Sequence, residues 1–83
     1  MKKHNLKCYP QYFEAIKSGL KTFECRYNDR GFQVGDQLIL REYDNQLGYS
    51  GRILMRTVTY ILSDFIGLTD NFVILSLDKN SRK

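Results

Sequence analysis

Proline is nearly absent from this 83-residue chain, with Pro10 alone, and tryptophan is missing altogether. Histidine is as scarce: His4 is the only one. That excludes a multi-histidine metal site, and a Ser-His-Asp or Cys-His arrangement could run only through His4. Cys8 and Cys25 are too few for a disulfide scaffold and stand at no zinc-binding spacing. They read as small core residues of a reducing compartment. No apolar run approaches the roughly 18 residues of a membrane span, so no membrane partner is expected. Residues 1–10 are basic with no apolar stretch behind them, so they do not read as a secretory signal. A cytoplasmic location is the expectation, with no metal and no cofactor.

What is present suits one small globular domain. Hydrophobic residues make up 42% and charged residues 27%, and six Tyr and five Phe supply the aromatics. A chain this short buries only about 60% of the surface its unfolded form exposes, enough for one core. The net charge is +4 and unevenly spread. Residues 1–34 carry seven Lys/Arg against three acids, whereas residues 35–83 carry six of each. Lys79, Arg82 and Lys83 lie at the very end, so the positive charge sits at the start and at the tail. If the termini meet, they form one face that attracts phosphate; the alternative is a solubilising surface.

Weak alternation over residues 3–8 predicts a strand. Pro10 suits the first turn of a helix. Tyr9, Phe13, Ile16 and Leu20 follow at helical spacing, and Gly19 sits at a left-handed C-cap. The helix is expected over 10–18, with Glu14, Lys17 and Ser18 facing out. Residues 22–27 read as a strand with Phe23, Cys25 and Tyr27 on the core face and Thr22, Glu24 and Arg26 opposite. Asn28-Asp29-Arg30-Gly31 is a turn by composition, its Asp accepting backbone N–H bonds and pairing with Arg. Val34-Gly35-Asp36 is a bend that Gly permits and Asp can cap. Strands are expected over 37–43, 52–62 and 72–77, with a loop at 44–51 and a connection at 63–71. The order β-α-β-β-β-β predicts an α+β, mainly β, fold: a small closed or half-closed barrel of about five strands with one short N-terminal helix. An open α+β sandwich is the alternative. One domain is expected over 1–78, followed by a basic tail, 79–83, without fixed structure.

The densest polar segment is Gly19-Leu20-Lys21-Thr22-Phe23-Glu24-Cys25-Arg26, followed by Asn28-Asp29-Arg30. Lys21 ends the helix turn, and Glu24 and Arg26 project from one strand face. A solvated, salt-bridged strand face would have the same pattern. Together with His4-x-Leu6-Lys7, Val34-Gly35-Asp36-x-Leu38-x-Leu40-x-Glu42-Tyr43, Gly48-Tyr49-Ser50-Gly51-Arg52 and Thr59-Tyr60-Ile61, the segment resembles the ASCH-type, PUA-like superfamily. More narrowly, it resembles a small bacterial and phage branch of unassigned function. The resemblance covers nearly the whole chain. It implies a pseudo-barrel with a helix after the first strand, and a cleft beside the barrel that takes RNA or a nucleoside. Lys21, Glu24 and Arg26 are the positions that carry over. One member type removes acetyl from N4-acetylcytidine with Lys, Thr and Glu. Lys21 matches that lysine, but Glu24 stands at the threonine position and the segment bearing the glutamate has no counterpart. The activity therefore does not carry over.

Three readings of function follow. The first is binding of RNA or a nucleotide in a cleft beside the barrel, through Lys7, Lys21, Glu24, Arg26, Asn28, Arg30 and Tyr49. Lysine and arginine contact phosphate, and Glu24 accepts from a base amino group or orients the lysine. Tyr9, Tyr12, Tyr49 and Tyr60 are candidates to stack on unpaired bases, although a small barrel also uses tyrosine as core. His4 is a cleft residue or a hydrogen-bonded strand histidine. The second reading is a hydrolase on a modified nucleoside, with Lys21 and Glu24 as the catalytic pair. It requires a depressed lysine pKa, which Arg26 favours and Glu24 opposes. The third is a protein-interaction module of a phage or its host, since residues 35–78 carry three Lys/Arg and six acids.

Overall fold

Alternation of buried and exposed side chains shapes the first strand, β1 (Lys3–Cys8): His4, Leu6 and Cys8 point inward and Lys3, Asn5 and Lys7 outward. The computed structural model describes residues 1–79. The expected basic tail therefore falls, from residue 80 on, outside the described residues. Helix α1 (Pro10–Lys17) follows with Pro10 in its first turn, and it buries Phe13 and Ile16. Gly19 at φ +86° ends it, and the Ala15 carbonyl accepts from both Leu20 and Lys21 N–H. Leu20, expected on the core face, is exposed because the C-cap turns the chain away.

Four strands complete the fold: β2 (Phe23–Tyr27), β3 (Gln37–Asp44), β4 (Gly48–Leu62) and β5 (Phe72–Leu77). They form one mixed five-stranded sheet in the order β1-β3-β4-β5-β2. Only β1 and β3 run parallel, and the other three pairings are antiparallel. The fold is thus α+β and mainly β, with one short helix, as the element order predicts. Its sheet is not a closed barrel, because no backbone ladder joins β1 to β2.

Strand β4 gives the sheet its bend. Residues 48–57 pair with β3 and residues 58–62 with β5, and the register shifts between Val58 and Tyr60. Such irregularities bend and twist a strand. The expected loop at 44–51 is instead a tight hairpin, with strand resuming at Gly48. Gly48 and Gly51, at φ +80° and +95°, adopt within the strand a backbone that other residues rarely take. The core is Leu6, Cys8, Phe13, Ile16, Phe32, Leu38, Leu40, Val58, Val73, Leu75 and Leu77. Burying each large aliphatic or aromatic side chain contributes about 1.5–3 kcal/mol before the entropy of ordering is set against it.

Polar side chains tie the layers together. Buried Arg56 donates to the Ile16 carbonyl at the helix C-terminus, 3.3 Å away, where a cation suits the helix dipole. Arg52 of β4 pairs with Glu14 of α1 and grips Glu42 of β3 through Nε at 3.0 Å and Nη2 at 3.1 Å. These bonds, with one from the Ser50 hydroxyl, hold the Glu42 carboxyl below its usual range. Among the described residues no helix is long and apolar enough to cross a membrane.

Candidate functional site

The site begins with an inversion in β2. Phe23, Cys25 and Tyr27, expected in the core, face outward and are exposed. Glu24, expected on the outer face, is only 6% exposed. The reason is the position of β2 at the sheet's edge, where no second layer covers its outer side. Inward, it meets a charge cluster in place of an apolar core. Glu24 lies between Lys21, whose Nζ is 3.0 Å from Oε1, and Arg26, whose Nη2 is 3.2 Å from Oε2. A buried carboxylate needs such partners. The helix C-cap delivers Lys21 to this point, and the strand pleat delivers Glu24 and Arg26.

Arg26 also reaches the opposite edge. Its Nη2 donates to the Lys7 carbonyl at 2.5 Å, and Arg30 Nη1 donates to the Asn5 carbonyl at 3.1 Å. The two edge strands thus face each other across a seam spanned by guanidinium groups. Two hollows open along it. The larger, about 650 Å³, is lined by Lys7, Cys8, Tyr9, Tyr12, the triad Lys21–Glu24–Arg26 and the outer face of β2. Lys21 Nζ also donates to the Phe23 carbonyl at 2.8 Å and lies 4.7 Å from the Phe23 ring centre and 5.4 Å from that of Tyr12. The smaller hollow, about 250 Å³, is lined by Asn5, Leu6, Lys7, Arg26, Arg30, Arg41 and Tyr49. Lys7 and Arg26 belong to both.

Of the seven residues named from the sequence, six line this seam: Lys7, Lys21, Glu24, Arg26, Arg30 and Tyr49. Asn28 does not. Its Oδ1 accepts the Phe32 N–H at 3.1 Å and holds the turn, the role expected of Asp29. Asp29 does pair with Arg30 as expected, 3.8 Å away. Of the tyrosines, Tyr9 and Tyr12 line the larger hollow, Tyr49 the smaller, and Tyr60 neither. Tyr49 sits in β4, not in a loop, packed edge-on against Tyr43 at 5.0 Å.

Residues 3–77 match the family described as Domain of unknown function (DUF3850). The chain belongs to the DUF3850 family. It is also similar to the "Uncharacterized 12.9 kDa protein in GpA 3'region" of Escherichia phage P2, 33% identical over 74 residues. That alignment covers 87% of this chain and 64% of the phage protein, so the chain spans less than two thirds of its relative's length.

Two further groups in this DUF3850 chain have clear roles. The Cys8 thiol borders the larger hollow, but burial, aided by the Glu24 charge, pushes its pKa up to about 11. It is therefore a neutral packing group and not a nucleophile at neutral pH. His4 is the hydrogen-bonded strand histidine: its Nε2–H donates to Asp36 Oδ2 at 2.8 Å, and its ring meets Phe32 edge-on at 4.8 Å. Asp36 also accepts the Lys2 and Gln33 N–H groups, each at 3.0 Å. These bonds, the one from Lys2 foremost, lower its carboxyl to about 2. His4 and Asp36 brace the start of β1 and lie outside the hollows.

Sequence reasoning missed Arg41 and the outer face of β2. Arg41 gives no local signal, because only the long-range pairing of β1 with β3 sets it beside Lys7. For β2 a signal existed: a Glu-x-Arg pair, Glu24 and Arg26, with Lys21 before it makes a self-neutralising cluster that can sit inside.

Proposed function

We propose that this domain binds single-stranded RNA or a nucleotide in the larger hollow. The observation that carries the reading is the pairing of a charged floor, Lys21–Glu24–Arg26, with aromatic walls, Tyr9, Tyr12, Phe23 and Tyr27. Unpaired bases stack on aromatic rings, and each such contact contributes about 1–3 kcal/mol. Lysine and arginine along a groove hold the backbone. Glu24, fixed by two cations, keeps lone pairs for the amino group of cytosine, adenine or guanine.

The resemblance of the Lys21-to-Arg26 segment to ASCH-type, PUA-like domains supports the same reading, as does the curled, mainly β sheet with a helix after its first strand. Lys21 is engaged as a hydrogen-bonding cation toward Glu24 and the Phe23 carbonyl, an arrangement for holding a ligand.

The test is Lys21→Ala against a panel of short unstructured RNAs and DNAs. Its affinity for RNA falls at least tenfold if the cleft is the site. Unchanged affinity for every nucleic acid bound by the wild type overturns the reading. Glu24→Gln adds a second readout, because it erases any preference for amino-bearing bases over uracil.

A further inference from the structure

The smaller hollow has a charge balance that the larger one lacks. Four cations line it, Lys7, Arg26, Arg30 and Arg41, and no acid does. Two of the four are already compensated. Arg26 shares Glu24 with Lys21, and Arg30 lies beside Asp29. Lys7 and Arg41 form no ion pair among the described residues. They are also direct neighbours in the parallel register of β1 and β3. Like charges placed opposite on adjacent strands cost stability. Each is held over a tyrosine instead: Lys7 Nζ lies 4.3 Å from the Tyr43 ring centre and Arg41 Cζ 4.6 Å from that of Tyr49. Those rings are cross-strand partners in edge-on contact. The aromatic pair thus fixes two uncompensated cations at the mouth of one pocket.

The backbone adds donors. The Asn5 and Lys7 carbonyls point into the seam, where Arg26 and Arg30 meet them. A strand residue presents its N–H and C=O on the same side. The Asn5 and Lys7 amides therefore face the seam too, away from β3.

We infer that this pocket holds a phosphomonoester attached to the nucleoside bound next door, a dianion that meets the two spare charges of Lys7 and Arg41. A monoester carries about two negative charges at neutral pH, whereas a bridging diester brings about one. Its three free oxygens match a pocket of convergent N–H donors. Lys7 and Arg26 line both hollows and join the phosphate to the base site. This inference rests on the nucleotide reading above. It narrows the ligand to one with a terminal phosphate, either the end of an RNA strand or a free nucleoside monophosphate.

Two measurements on the full chain separate the inference from its premise. The first is anisotropy with a labelled RNA pentamer bearing a 5′-phosphate, a 3′-phosphate or only hydroxyl ends, competed with cytidine 5′-monophosphate. One phosphorylated end binds about tenfold or more tightly than the hydroxyl form. Arg41→Gln reduces that advantage to less than twofold. Displacement of the strand by the monophosphate at similar concentration identifies the free nucleotide as the source, and resistance to it identifies the strand end. Equal affinity for all three strands overturns the inference while the nucleotide reading stands. The second is an amide NMR titration with inorganic phosphate alone. Saturable shifts at Asn5, Lys7, Arg41 and Tyr49, without RNA binding, retain the anion pocket and refute the nucleotide reading. Absence of such shifts counts against the pocket itself.

Discussion

Arg26 joins the two free edges of the sheet by donating from Nη2 to the Lys7 carbonyl at 2.5 Å, while the same nitrogen lies 3.2 Å from Glu24. One guanidinium group thus replaces a strand ladder and anchors a buried carboxylate. An edge strand with unpaired N–H and C=O groups is open to unwanted pairing, and a charged side chain laid across it blocks that.

Arg26→Ala removes both contacts. Urea unfolding should show a loss of about 1–3 kcal/mol, because the Glu24 carboxylate keeps only Lys21 as a charged partner. An unchanged midpoint would mean that the seam contributes nothing to stability.

Asp36 governs the acid limb of stability. Its carboxyl is lowered from 3.8 to about 2 in the folded chain. The unfolded chain therefore takes up a proton before the native one as pH falls. Stability from Asp36 is complete above pH 3.8 and is lost between there and about pH 2. Asp36→Asn lowers stability at neutral pH by about 1–3 kcal/mol, since an amide cannot accept all three donors well. It also flattens the dependence across that window. A series of denaturation curves from pH 5 to 2 checks both effects, and parallel curves for the two proteins would contradict them.

The two thiols should separate in a reactivity assay. Cys25 is exposed on the outer face of β2, whereas Cys8 is buried with its pKa pushed up to about 11. A thiol reagent at pH 7.5 titrates one equivalent rapidly in the native protein and two after unfolding. Cys25→Ser abolishes the fast phase. No fast equivalent in the native state would show that the inversion of β2 is wrong, and two would show that Cys8 is not buried.

Tyr12 offers a test that separates recognition from folding. Its ring is exposed at the rim of the larger hollow, so Tyr12→Ala should change stability by less than about 0.5 kcal/mol. RNA binding should weaken by about 1–3 kcal/mol if a base stacks there. Binding unaffected by Tyr12→Ala, while Lys21→Ala is impaired, would leave an electrostatic groove without stacking.

Much of this architecture is legible in the sequence where periodicity and punctuation agree. Pro10 and Gly19 bracket the helix, and alternation marks β1 and β5. The errors fall where tertiary position overrides pattern. Phe23, Cys25 and Tyr27 alternate as a core face does, but an edge strand without a covering layer inverts the usual choice. Gly48, Ser50 and Gly51 read as loop, yet positive φ at the glycines lets β4 run through them. Lys21, Glu24 and Arg26 are legible as a cluster because they are close in sequence. Arg41 is not, because its neighbour Lys7 is 34 residues away and only the parallel pairing unites them.

A cleft for RNA or a nucleotide, as proposed above, must bind such a ligand in solution. Its most direct test is fluorescence anisotropy of a short unstructured RNA and its DNA twin, titrated at low and moderate salt. Tighter binding to RNA is expected, with a salt slope of about −0.7 per phosphate engaged, and loss of that binding in Lys21→Ala. Weak binding that is equal for RNA and DNA and erased by moderate salt would contradict it, leaving only a basic surface.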